Sequence, residues 1–354
     1  STDNWFRPVN FVHAPDGTLW LLDMYRETIE HPWSMPADLK AMLDLERGRD
    51  RGRIYRIAPP HFKRRSTPKL SQATTTELVR LLEHPNAWHR DTAARLLFQQ
   101  QDPATPALLL QLLRQSPKPQ ARLQALSTLA ATVAATPAAA SPATPALTNQ
   151  LHDAVLQLLD DQTPQVRRSA LRIAALHSLS DLPLAVARSI REDSDPAVLF
   201  EAALHMHQLT SLQRDMLLRT LLKRTATDPW IRTAALCSAH DHELLRLLET
   251  LLQPQVRTDP AQQPLLLQLA GIVGARNQAA ELRILAQALS NLPEQERSSA
   301  RSSELLAALD DGLRRSRSSL AAAWQEQPAA LDFTRSIVRT AGNTALDTAL
   351  PAEQ

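Results

Sequence analysis

The side chains best suited to chemistry in this chain collect between Asp23 and Asp50: His31, Arg26 and Arg49, with the two aspartates at either end. An imidazole titrates near neutrality, so His31 can act as a base or as a hydrogen-bond donor. Arg26 and Arg49 supply fixed positive charge, and Asp23 and Asp50 are their charge partners. A structural reading competes with this one. Asp23 and Asp50 can cap turns, His31-Pro32-Trp33 can pack its segment onto the neighbouring strands, and the arginines can neutralise the acids.

The same stretch carries a basic run. Arg47, Arg49, Arg51 and Arg53 recur every second residue, followed by Arg56, Lys63, Arg64 and Arg65. In a strand, Arg51 and Arg53 would share one face. They could then meet an anionic cofactor or an acidic partner. Asp44, Glu46 and Asp50 are interleaved, however, and a solvated, salt-bridged junction is the favoured account of the run.

The elements that must position these groups can be read from the flanking pattern. Pro8 to Ala14 alternates loosely and ends at Pro15-Asp16-Gly17, a tight-turn signal, and Thr18 to Tyr25 reads as an apolar strand, so the two form a hairpin. Gly52 to Ala58 is a further strand, with a short helix expected over Pro36–Leu45. Three strands with an apolar face are the minimum for a sheet, while a propeller blade carries four.

The stretch FRPVNFVHAPDGTLWLLDMYRETIEHPWSMP, followed by GRDRGRIYRI, resembles the last propeller blade of the large planctomycete and verrucomicrobial proteins designated membrane-bound dehydrogenases. The resemblance runs from Phe6 to Ile57. It joins a blade pattern, a PDG turn and a strand ending Asp23-Met24-Tyr25, to the insertion Glu30-His31-Pro32-Trp33-Ser34. Such proteins combine a sorbosone or glucose dehydrogenase-like propeller, a HEAT-like region and a C-x-x-C-H cytochrome c domain. The upstream blades and the haem segment are not in this sequence, so the resemblance implies the middle of such a protein. It also implies a quinone-type cofactor and a c-type haem in the whole protein, neither held by this segment alone, and a periplasmic or otherwise extracytoplasmic location. The loop from Tyr25 to Gly52 would line one mouth of the channel, with His31 and Arg26 as catalytic candidates and Arg49, Asp23 and Asp50 beside the cofactor.

Beyond Pro59-Pro60 and a polar connector over 61–74, the chain changes character. An anchor recurs at Arg90, Arg122, Arg167, Leu199 and Arg232, separated by 32, 45, 32 and 33 residues, and each is followed three residues later by alanine. The long interval contains a Pro/Ala/Thr-rich insertion at 134–145, expected as a flexible loop. Leucines at helical spacing precede each anchor, and Pro85, Pro117, Pro164, Pro196 and Pro229 separate the helices. Asp161 to Ala170 is the clearest copy of the HEAT core D-x-x-P-x-V-R-x-x-A, and the TPR and ankyrin signatures are missing. The expected fold is therefore mainly α, a HEAT-like αα-repeat solenoid over 75–290 preceded by a small antiparallel β segment over 1–60, a partial blade. Residues 291–354 add C-terminal helices and a tail loosely held from Gly342. Past Asp241 the period blurs, one helix is expected over Ser303–Gln325, and Cys237 is expected in the core.

Composition narrows the function further. With 39 basic against 37 acidic residues, no bulk field draws the chain to nucleic acid. No apolar run reaches membrane-spanning length. The single Cys237 excludes an internal disulfide and a C-x-x-C-H haem attachment within this segment. The pairs His205/His207 and His240/His242 are two apart, which on a helix points them about 200° apart. The chain starts at Ser1, as a piece of something longer or a processed product would.

Two functions remain. One is the middle of a sugar or alcohol dehydrogenase of the quinone-dependent kind, the segment itself inactive, its repeats holding the catalytic domain near the cytochrome domain. On that reading its partners are the missing blades and cytochrome domain of the same polypeptide. The alternative is a non-enzymatic scaffold offering the concave face of its repeats to a protein partner.

Overall fold

Apolar alternation at the N-terminus and leucine periodicity after residue 75 produce the two kinds of structure expected of them. The structure, a computed structural model, describes residues 2–63, 67–135, 144–225, 227–297 and 299–346. Arg64 and Arg65, most of the Pro/Ala-rich insertion and the last eight residues lie outside these. The chain is mostly helical, with one small antiparallel sheet at its N-terminal end. It forms two compact units, residues 1–173 and 174–354.

The sheet has the order β1 (Pro8–His13), β2 (Leu19–Asp23), β3 (Arg53–Ile57), antiparallel throughout. Phe11 pairs with Leu21 and Leu21 with Tyr55, so these three share a face; Val12, Trp20 and Arg56 share the other. Between β2 and β3 lies the short helix α1 (Ala37–Met42), preceded by a single 3₁₀ turn at Pro32–Ser34.

The first unit continues with α2 (Thr75–Leu81), α3 (Ala87–Gln100), α4 (Thr105–Gln115), α5 (Pro119–Ala135), α6 (Thr144–Leu158) and most of α7 (Pro164–Leu176). The second holds α8 (Leu182–Glu192), α9 (Pro196–Leu204), α10 (Ser211–Thr225), α11 (Pro229–Cys237), α12 (Asp241–Leu251), α13 (Pro254–Arg257) and α14 (Gln263–Arg276). Then come α15 (Ala279–Ser290), α16 (Glu294–Arg297), α17 (Ala300–Arg315), α18 (Leu320–Ala323) and α19 (Pro328–Leu346).

Each feature of the repeat has a physical task. Pro196, Pro229 and Pro254 open their helices at the first position, where a missing N–H costs nothing, and Asp195 and Asp228 cap the first two. Ala93, Ala125, Ala170, Ala202 and Ala235 are all fully buried, and a methyl at these points keeps neighbouring helices close. Three of the anchor arginines reach back over the interhelical turn. Arg90 donates to the carbonyls of His84 and Pro85, Arg122 to that of Ser116, and Arg167 to those of Asp161 and Gln162. These carbonyls belong to helix ends and the turns after them, which leave acceptors unsatisfied unless something donates.

Leu199 cannot do this, and the turn before α9 is served from elsewhere. Arg224, at the end of α10, donates to the carbonyls of Ile190 and Asp193. Beyond Asp241, where the period blurs, the same bond returns: Arg257 donates to Leu252 O and Arg297 to Leu292 O. The words Pro164-Gln-Val-Arg167 and Pro254-Gln-Val-Arg257 are identical, and that identity is the sequence signal for the later copy.

Two expectations are corrected. The pattern over Ser303–Gln325 is not one helix: α17 stops at Arg315, Arg317 takes a left-handed backbone (φ 58°), and Ser319 caps α18. Cys237 is exposed rather than core, because it closes α11 where the chain turns away.

In the second unit α14 and α17 cross at backbone contact. A Cβ on Gly312 would lie 2.2 Å from Gly271 O, and one on Gly274 would lie 2.3 Å from Leu309 O, so neither helix accepts a side chain there. Three of the seven glycines are used at this crossing.

Candidate functional site

The loop between β2 and β3 is held by its own aromatic and basic residues. Tyr25 leaves the strand in a left-handed conformation (φ 49°), and its ring lies 5.6 Å from that of Trp5. The Arg53 guanidinium sits 3.6 Å over the Tyr25 ring and that of Arg47 5.2 Å over Trp5. Arg47 also pairs with Glu27 at 3.0 Å, whose carbonyl accepts from Arg7. Gly48 closes the loop with φ 88°, and a Cβ there would stand 2.5 Å from Tyr25 O, so only glycine fits. Much of the basic run is thereby explained: Arg47 and Arg53 lie on rings, while Arg49 and Arg51 make surface pairs with Glu46 and Asp50.

Asp23 is the most buried of the five candidate residues, at 3% exposure. Its Oδ1 accepts the backbone N–H groups of Arg7 at 2.8 Å and Tyr25 at 2.9 Å, tying the start of the chain to the end of β2. Its Oδ2 is buried with no partner, and so is Nη1 of Arg26. His31 caps the 3₁₀ turn, with Nδ1 accepting Trp33 N–H at 3.2 Å, which leaves the proton of the neutral ring on Nε2. Arg49 pairs with Glu46 at 3.2 Å, and Asp50 stands 4.0 Å from Arg51, both at the surface. No hydrogen bond or ion pair joins any two of the five candidates. Asp23 is buried and Arg26 half-buried, each with one unsatisfied atom, whereas His31, Arg49 and Asp50 face solvent. Trp33 does not pack the insertion down; it is 91% exposed, and Met42 is 77% exposed.

This arrangement holds no nucleophile–base pair. It holds a buried, unpaired guanidinium nitrogen and carboxylate oxygen and an exposed imidazole N–H. The residues overlooked in the sequence are His84 and His89, five apart in HPNAWH, which face the hairpin turn His13-Ala14-Pro15-Asp16. The pairs His205/His207 and His240/His242 each have partners of their own: His205 with Glu201, His240 with Arg214.

Residues 1–61 match a family described as "Domain of unknown function (DUF7133)". The match covers the sheet and its loop and ends before the first repeat helix. No curated protein matches the chain.

Proposed function

We propose that the chain is the middle of a propeller–HEAT–cytochrome c redox protein that oxidises a sugar or alcohol, its repeats the scaffold between the catalytic and electron-transfer domains. The sheet carries this reading. Phe11 and Ile57 are exposed on one face and Val12, Trp20 and Ile54 on the other, and every residue of β1 and β3 is exposed. A blade in a propeller would bury both faces against its neighbours, whereas a self-sufficient sheet hides at least one.

On this reading the dehydrogenase activity, quinone-dependent and extracytoplasmic, belongs to the whole polypeptide, and the segment alone is inactive. His31 and Arg26 would face the reacting substrate, and Arg49, Asp23 and Asp50 the cofactor. Arg49, at the surface, is the cationic member of the cofactor set and suits an acidic quinone, which would supply the two-electron oxidation. The haem does not fit this segment, whose single cysteine offers no C-x-x-C-H.

The test uses the complete gene product. Covalent c-type haem absorbance together with dye reduction by an aldose or alcohol after quinone loading supports the proposal. A complete product without haem or such turnover overturns it. One observation favours the non-enzymatic scaffold instead: Trp230 and Leu212 stand exposed on helices of the second unit, and tryptophan is enriched among interface anchors. Absent haem with a stable protein partner would establish that alternative.

A further inference from the structure

We infer that the cleft between the hairpin turn and the α2–α3 turn binds a small organic anion through a carboxylate or phosphate group. Three segments wall it: His13–Thr18, His61–Lys63 and His84–His89, the last including the N-terminus of α3. Its volume is about 820 Å³, within the usual range for small-molecule sites.

The walls are held together by specific bonds. Asn86 Nδ2 donates to Ala14 O at 2.9 Å and Pro15 O at 3.2 Å, while its Oδ1 caps α3 by accepting Trp88 N–H. His89 Nε2 lies 2.8 Å from Pro15 O. A carbonyl only accepts, so the proton of neutral His89 is on Nε2. His84 Nδ1 accepts Asn86 N–H at 3.0 Å, which places its proton on Nε2. The two rings meet edge to face, with centroids 4.4 Å apart.

Charge then selects the ligand. The cleft gathers His13, His61, His84, His89 and Lys63. Its one acidic lining residue, Asp16, is occupied by Thr18 N–H, by the Thr18 hydroxyl at 2.6 Å and by Arg56 at 3.5 Å. Arg90, spanning the His84 and Pro85 carbonyls, adds a further positive charge on α3. The positive end of the α3 dipole has the same sign.

His89 adds an unsatisfied polar atom to the cleft wall. It is 1% exposed, it lines the cleft, and its Nδ1 has no hydrogen-bond partner. A buried polar atom left unsatisfied is costly, and a partner admitted from the cleft would remove that cost. A metal is the weaker occupant, because no group of three or more His, Cys, Asp or Glu is placed to hold one among the described residues.

The test is calorimetric titration of the whole chain with sulfate and with oxalate, alongside zinc alone. Saturable binding of either anion is expected, the preferred one marking a phosphate-like or carboxylate ligand. His61→Asn with Lys63→Gln should weaken that binding at least tenfold; both residues are exposed, and asparagine tolerates the left-handed backbone of His61 (φ 61°). Lys223→Gln, on α10, should leave binding unchanged. The His89 ring resonances should shift on anion addition. No saturable anion binding, folded variants that bind like the parent, or a site that takes zinc and neither anion would overturn the inference.

Discussion

Arg122 grips Asp161 with two parallel bonds, Nε to Oδ2 at 2.7 Å and Nη2 to Oδ1 at 2.8 Å, joining successive turns of the repeat 39 residues apart. The same Arg122 donates to Ser116 O, so one side chain closes its own turn and ties down the next. Arg257 and Glu296 repeat the pairing at the same separation, with Nη2 to Oε2 at 2.7 Å.

Because both members of the Arg122–Asp161 pair are largely buried, Arg122→Ala should cost about 3 kcal/mol, mostly by leaving a buried carboxylate unpaired. Burial alone would raise the Asp161 pKa, but hydrogen bonds from Arg122 and Thr163 and the Arg122 charge outweigh it and hold the group below the ordinary aspartate range. A folded-state pKa below the unfolded value means stability that is complete above about pH 4 and lost as pH falls through the folded value. Urea titrations from pH 7 down to pH 2 should show this loss in the parent, and Asp161→Asn should lack that component of it.

A second buried pair lies in the other unit. Arg214 Nε meets Glu243 Oε2 at 2.7 Å, and its Nη2 reaches His240 Nδ1 at 2.8 Å. Arg214→Met should destabilise by about 3–5 kcal/mol, and adding Glu243→Leu should recover much of that, since the loss comes from an orphaned charge rather than from the missing pair. Denaturant melts of the four proteins in the cycle decide it, and strictly additive losses would refute the argument.

At the α14–α17 crossing, Gly312→Ala should cost about 3 kcal/mol or prevent folding of that unit, because the new methyl meets backbone that cannot withdraw. Gly271→Ala is the contrast. Its Cβ would stand an ordinary 3.5 Å from Ala308 O, so the change should be neutral or stabilise by up to about 1 kcal/mol through helix propensity. Thermal melts should therefore fall for Gly312→Ala and hold level or rise for Gly271→Ala.

Arg224→Ala should loosen the turn before α9 at a cost of about 1.5 kcal/mol, having removed the donor for the Ile190 and Asp193 carbonyls. Hydrogen exchange should rise in 190–196 ahead of the rest of the unit. Uniform exchange across the unit would show that the turn does not depend on Arg224.

The strands, the repeat register and the buried alanines were legible in the sequence because they follow from local rules. Alternation makes β1 and β2, proline at the first helical position sets where a repeat helix begins, and an alanine three residues past each anchor marks the close approach of helices. The candidate site was legible only as a set of residue types. That Asp23 would be buried and bonded to two backbone amides while Arg49 and Asp50 stayed at the surface depends on how Trp5, Tyr25 and Gly48 fold the loop, and those contacts join residues up to 43 positions apart. The remainder belongs to tertiary structure for the same reason. Arg224 standing in for Leu199, the crossing at Gly274 and Gly312, and the meeting of His13, His61, His84 and His89 in one cleft are set by distances across the fold, which no local period records.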